Sequence, residues 1–212
     1  MTSRRGHDAW VIGDEDAEIF DWAGAMGTFA EPAIEAADRL LTTLLLTDIV
    51  GSTSIAERLG DTEWRQVLAR HNAVVRRELD RYRGREVTTT GDGFLAMFDS
   101  AARAVRCAAS ICAAVQSLDL TVRTAVHTGE VELVAGDVRG LAVHAAARIG
   151  QLADAGEVLV SATTFDLLQA SGLRFEERGT HELKGISGSR AIYRYGGEAA
   201  PTALTEPRAG GP

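Results

Sequence analysis

The feature that most constrains the fold is Leu40 to Thr47, an uninterrupted run of leucine and threonine that ends in Asp48. Alternating patterns mark strands with one wet face, whereas a continuous run suits a strand buried on both faces, here with a polar residue at its carboxyl end. Such a strand needs helices packed against it, and the next segment supplies one. Ile55, Leu59, Trp64, Val67, Leu68, Val74, Val75 and Leu79 recur at helical spacing through a long stretch closed by Gly84.

The pattern then changes period. Glu86 to Thr90 and Phe94 to Phe98 are short β-rich runs separated by Gly91-Asp92-Gly93, a hairpin signal that puts Asp92 at the turn. Ala101 to Leu118 reads as a second helix, with Ala104, Val105, Ala108, Ile111, Cys112 and Val115 on one side. Strands are expected at 121–127 and 131–134, a helix at 143–152, a strand at 158–161, a helix ending at Ala170, and strands near 173–178 and 191–195. The order β, α, β, β, α, β predicts an α+β fold, a ferredoxin-like βαββαβ sandwich with β/α additions at its C-terminal side.

Residues 1–38 are irregular and acidic and read as a tail or linker, residues 39–196 as one globular domain, and 197–212, rich in Gly, Ala, Pro and Glu, as a disordered tail. The formal net charge of −8 argues against duplex nucleic acid or an anionic membrane surface as the main partner. No apolar run approaches the roughly 18 residues of a membrane span and no signal peptide is evident, so the cytoplasm is the expected compartment. Cys107 and Cys112, five apart in an alanine-rich helix, have neither zinc-ligand nor disulfide spacing and read as small core residues. Arg76 to Arg85 reads as a solvated helix face, His71 as a half-buried packing residue, and His127 and His181 as strand residues.

Two carboxylates carry the chemistry. Asp48 closes the first strand and Asp92 caps the neighbouring hairpin, and a carboxylate pair at one end of a sheet makes an oxygen site for hard cations. Behind Asp48, Gly51-Ser52-Thr53 opens a helix whose free N–H groups can hold phosphate oxygens. Metals beside a helix N-terminus imply a polyphosphate substrate. Taken singly, a strand-ending Asp is a common cap and Gly-Asp-Gly a common hairpin; the joint pattern is what discriminates.

That joint pattern resembles the class III adenylate and guanylate cyclases. Residues 47–53, Thr-Asp-Ile-Val-Gly-Ser-Thr, are similar to the family's first metal motif, and residues 90–96, Thr-Gly-Asp-Gly-Phe-Leu-Ala, to its second. Residues 140–148, Gly-Leu-Ala-Val-His-Ala-Ala-Ala-Arg, resemble its transition-state helix, and Leu183-Lys184-Gly185-Ile186 its phosphate-contacting C-terminal strand. The resemblance implies two divalent cations, Mg²⁺ or Mn²⁺, held by Asp48 and Asp92 with the Ile49 backbone carbonyl. It further implies Arg148 as the stabiliser of charge on the α-phosphorus, and His144 where many members carry a ribose-orienting asparagine, a mark of one bacterial subgroup. Arg123 and Lys184 match positions that contact the terminal phosphates, and Thr88 and Asp137 match positions that read the base. Thr88 departs from the lysine usual in adenylate cyclases. ATP is the expected substrate because Asp137 can accept from the exocyclic amine of adenine, while the lost lysine leaves GTP or a pyrimidine triphosphate open.

In the family the metal aspartates and the Arg148-type residue come from different subunits, so a two-fold homodimer with shared sites is implied. Residues 7–14, His-Asp-Ala-Trp-Val-Ile-Gly-Asp, resemble the end of an α/β-hydrolase domain that precedes some bacterial cyclase domains. The rival readings are a catalytically silent nucleotide-binding module, which the loss of lysine at Thr88 favours, and a metal-dependent phosphohydrolase, which paired aspartates alone would allow.

Overall fold

The computed structural model describes residues 38–134 and 137–199. In chain order the elements are β1 (Asp38–Ile49), α1 (Ser52–Leu59), α2 (Asp61–Tyr82), β2 (Arg85–Thr89), β3 (Gly93–Phe98), α3 (Ala101–Ala114), β4 (Val122–Val134), β5 (Asp137–Arg139), α4 (Leu141–Leu152), β6 (Val158–Ser161), α5 (Ala162–Leu167), β7 (Leu173–Glu182) and β8 (Ser189–Glu198). They build one sheet in the order β2-β3-β1-β4-β6-β8-β7, with β5 added beside β4. β1 is antiparallel to both β3 and β4, and β6 is parallel to β4. The four strands β2-β3-β1-β4 with their helices form the expected α+β, ferredoxin-like sandwich; β6 to β8 and two helices are the C-terminal additions.

Both faces of β1 are covered from Thr42 onward, whereas Leu40 and Leu41, expected to be buried with the rest of the run, are exposed at its start, beyond the reach of the helices. On one face Leu45, Ile49, Phe94, Phe98, Val122 and Val126 meet Val75 and Leu79 of α2 and Val105 and Ile111 of α3. On the other, Leu44, Leu95, Met97 and Val131 meet Ala142 and Ala146 of α4, while Ala125 and Leu159 meet Ile149. Each fully buried leucine contributes on the order of 1.5–3 kcal/mol. Cys107 and Cys112 are buried and unpaired, and burial pushes their thiols up to about 12 and about 11, so both are the inert core residues expected.

Several elements differ from the sequence reading for identifiable reasons. The single long helix is two, broken at Gly60, whose φ of 75° and ψ of 162° no other residue adopts cheaply. The strands expected at 121–127 and 131–134 are one, because β4 pairs with β1 without interruption from Val122 to Leu133. Gly129 sits inside it where a Cβ would come within 2.8 Å of Ala142 on α4. The charged stretch Arg76 to Arg85 is not simply solvated. Glu78 is buried and accepts from Ser110 Oγ at 2.8 Å, tying α2 to α3, and Arg76 pairs with Glu86 at 2.8 Å. β8 runs to Glu198, past the expected boundary at residue 196, because Arg106 of α3 donates to the Glu198 carboxylate at 2.8 Å. The rest of the two expected tails lies outside the described residues.

A line of buried hydroxyls crosses the sheet: His127 Nδ1 to Ser161 Oγ at 2.8 Å, Ser161 to Thr164 at 3.0 Å, Thr164 to Thr128 at 3.2 Å, and Thr128 to Thr43 at 2.9 Å. Burial, helped by the nearby Arg190 charge, pushes the His127 pKa down to about 4, so the folded protein holds the ring neutral. As pH falls from about 6.5 toward about 4 the unfolded chain takes up a proton that the folded chain refuses, and stability is lost at up to about 1.4 kcal/mol per pH unit. His127→Asn keeps a partner for Ser161 and removes this proton. Urea unfolding at pH 7, 5.5 and 4.5 should therefore show the variant less stable than the parent at pH 7, with the gap narrowing as pH drops; a gap independent of pH contradicts a neutral buried ring. Gly93 is a second sensitive point, since a Cβ there would lie 2.8 Å from the Thr47 carbonyl oxygen. Gly93→Ala should cost about 1–3 kcal/mol in the same experiment by forcing β1 and β3 apart.

Candidate active site

Asp48 ends β1 and its Cα stands opposite Gly93 of β3 on one side and Arg123 of β4 on the other. The hairpin between β2 and β3 turns at Gly91, whose φ is 92°, and so carries Asp92 to the same end of the sheet. The Ile49 N–H donates to the Asp92 carbonyl at 3.2 Å, which ties the turn to the residue after Asp48. α1 starts directly beyond, with Gly51 at φ 69° and no side chain capping its first N–H groups, so Ser52 and Thr53 sit at an uncapped helix start as the sequence suggests.

The Asp48 carboxylate is held by Arg123, whose Nε donates to Oδ2 at 2.9 Å and whose Nη2 forms an ion pair with the same oxygen at 2.8 Å. The two side chains are only 13% and 27% exposed. Burial raises the Asp48 pKa above the ordinary carboxylate range; the Arg123 bond and charge pull it down, Asp92 pushes it up, and burial prevails. Both Arg123 nitrogens meet the single oxygen Oδ2, which leaves Oδ1 for other partners and fits an oxygen site for a hard cation. Among the described residues no group of three His, Cys, Asp or Glu side chains converges. Two carboxylates suffice for Mg²⁺ when substrate phosphates and water complete the shell.

His71 differs from its reading as a half-buried packing residue. It is fully buried, its ring centroid lies 5.9 Å from that of Phe94, and Nδ1 contacts Asn72 Oδ1 at 3.1 Å. Nε2 finds no hydrogen-bond partner among the described residues, and neither does the buried Thr47 Oγ1. Burial lowers the His71 pKa, with Asn72 and Asp92 opposing. Only the α2 periodicity, which places position 71 on the inward side with Leu68 and Val75, could have signalled this.

Among the described residues, none of the other expected site residues hydrogen-bonds to the Asp48 carboxylate. His144 and Arg148 lie one turn apart on α4, the first exposed and the second half-buried, and Arg148 donates to Gln151 at 3.0 Å. Asp137 is exposed on β5 and accepts from the Val138 N–H at 2.9 Å and from Arg139 at 3.4 Å. Thr88 is exposed on β2, opposite Leu95, and β5 lies against β2. Lys184 is not on a strand: β7 ends at Glu182, and Lys184 is exposed in the turn before β8, where the Ile186 N–H closes onto the Leu183 carbonyl at 2.9 Å. Leu183, the buried residue of that motif, is what fixes the turn.

No helix among the described residues is long and apolar enough to cross a membrane. The family described as adenylate and guanylate cyclase catalytic domain matches residues 35–195. A Rhizobium meliloti (strain 1021) protein provisionally named adenylate cyclase 3 is 31% identical over 163 residues, 73% of this chain; the chain spans 28% of that relative's length. The adenylyl cyclase CyaB of P. aeruginosa has a similar fold, with a TM-score of 0.70 at 22% identity over 75% of this chain and 95% of that one. An adenylate/guanylate cyclase/hydrolase from Silicibacter pomeroyi has a TM-score of 0.65 at 28% identity, covering 75% of this chain and 98% of its own. The segments matched are those that place Asp48, Asp92 and α4, and the chain belongs to the adenylate and guanylate cyclase catalytic-domain family.

Proposed function

We propose that this nucleotide cyclase domain converts ATP to the 3′,5′-cyclic nucleotide and pyrophosphate at sites shared between two copies of the chain. The observation that carries the reading is the convergence of Asp48, the Asp92 turn, Arg123 and the start of α1 at one end of the sheet. Two divalent cations held by Asp48, Asp92 and the Ile49 carbonyl would supply charge neutralisation of the triphosphate and a more acidic ribose 3′-hydroxyl. The uncapped N–H groups at Gly51, Ser52 and Thr53 bind phosphate oxygens, and Arg123 and Lys184 take the terminal phosphates. Arg148 spreads its positive charge over the α-phosphoryl oxygens as the 3′-oxygen attacks and pyrophosphate leaves, and His144 orients the ribose.

Asp137 accepts from the exocyclic amine of adenine. Thr88, uncharged and short, adds little discrimination, so GTP is expected as a slower second substrate. A shared site is supported by the absence, among the described residues, of any hydrogen bond between the two groups: Asp48 pairs with Arg123 and Arg148 with Gln151. Two concavities of the chain, of about 460 and 290 Å³, lie elsewhere, one between Leu41, Phe98 and Leu168 and the other against Asp154, Glu157 and Arg194.

Incubation with ATP, GTP, CTP and UTP in Mn²⁺, with chromatographic identification of products, is expected to yield a cyclic nucleotide, fastest from ATP. A linear monophosphate would identify a phosphohydrolase instead, and no turnover a silent binding module. Asp48→Ala and Arg148→Ala should each lower the rate by at least about 100-fold. Their equimolar mixture should recover about a quarter of the parental rate, because half of the dimers are mixed and one site in each mixed dimer is intact. A mixture no more active than its components rules out shared sites.

A further inference from the structure

Arg123 is expected at the terminal phosphates of a triphosphate, yet its guanidinium is already engaged. Nε donates to Oδ2 of Asp48 at 2.9 Å, and Nη2 forms an ion pair with the same oxygen at 2.8 Å. Strand register enforces the meeting, since Arg123 and Asp48 are direct cross-strand partners in the β1–β4 ladder. With the side chains 27% and 13% exposed, salt and water weaken this charge-assisted pair much less than they would a surface pair. A divalent cation seeking Asp48 meets a carboxylate whose charge is compensated and one of whose two oxygens is occupied.

We infer that Arg123 is the internal counter-ion of Asp48, keeping the site closed to free divalent cations until a triphosphate draws the guanidinium away. The inference rests on the metal-binding role proposed for Asp48 and Asp92. The exchange makes and breaks no covalent bond. One cation on Asp48 is replaced by another, and the guanidinium moves to phosphate oxygens, which its planar fork fits as well as it fits a carboxylate. Metal and nucleotide then bind with mutual reinforcement, because each pays for the displacement that the other needs. Arg123 acts here as a positioning residue, through the state of Asp48, before it ever touches substrate.

The test measures the ion directly. Mn²⁺ affinity of the full chain, without nucleotide and at pH 8, is obtained from the electron paramagnetic resonance signal of free Mn²⁺ in titrations of the parent and of Arg123→Met, which keeps the aliphatic stem and removes the charge. Circular dichroism checks that the variant is folded, and Arg123→Gln replaces it if it is not. The variant is expected to bind Mn²⁺ about tenfold more tightly than the parent. Arg123→Lys, which keeps the charge, should stay within about threefold of the parent. Adding Asp92→Asn to Arg123→Met should abolish the gain. Affinity unchanged or weakened in Arg123→Met, or a gain that survives Asp92→Asn, overturns the inference while leaving the metal site standing. If neither the parent nor Arg123→Met binds Mn²⁺, with or without ATP, the metal reading itself falls and the counter-ion role falls with it.

Discussion

Leu44 and Leu45 are consecutive and both wholly buried, because α4 covers one face of β1 while α2 and α3 cover the other. That double burial is the constraint on which the catalytic end depends. Side chains alternate along a strand, so a slip of β1 by one residue would exchange its two sets of core contacts at once. Register is therefore held tightly along the buried part of the strand, and the position of Asp48 near its end, opposite Gly93 and Arg123, follows from hydrophobic packing some distance away. Packing fixes where the Asp48 backbone stands, and the Arg123 pair then orients its carboxylate.

Placing a carboxylate there carries a cost. Asp48 is mostly removed from water, and burial outweighs even a two-nitrogen contact from Arg123 in setting its proton affinity. A desolvated carboxylate favours positive charge beside it, and Arg123 supplies that charge in the free chain. The same logic runs through Glu157, buried and held by Arg178 at 2.9 Å and by the Asp154 N–H at 2.8 Å. There each carboxylate oxygen is answered by a protein group, Oε1 by Arg178 and Oε2 by the Asp154 N–H, and the outcome is a structural joint. The contrast between the two buried acids lies in what remains unsatisfied.

The sandwich itself was legible in the sequence. The Leu40–Thr47 run, the helical periodicity of residues 55–79 and the Gly-Asp-Gly turn each express a local period, and local periods survive into the structure. What was not legible depends on partners distant in sequence. The continuity of β4 through Gly129 is decided by its ladder with β1 and by the nearness of Ala142, neither of which a glycine announces. Lys184 falls in a turn because Leu183 is pulled into the core beside Ile192. The candidate site was legible as a set of positions, Asp48, Asp92 and the α1 start, but not as a set of interactions. The pairing of Arg123 with Asp48 is a fact of register, and the full burial of His71 is a fact of how α2 lies on Phe94.

The topology also bears on why a site would be divided between two chains. α2 and α3 occupy one face of the sheet and α4 the other, and the residues proposed for the transition state ride on α4 while the carboxylates sit at the strand ends. α4 lies close against the sheet at Gly150, where a Cβ would meet Leu46 at 3.2 Å, and it carries Arg148 on that packed helix. On the proposed reading a two-fold partner supplies by symmetry what the fold cannot supply by motion. A rigid α4 presented by one chain to the strand ends of another gives two identical sites from one interface. On that reading each chain keeps its own core undisturbed, and the reactive geometry is assembled where two such cores meet.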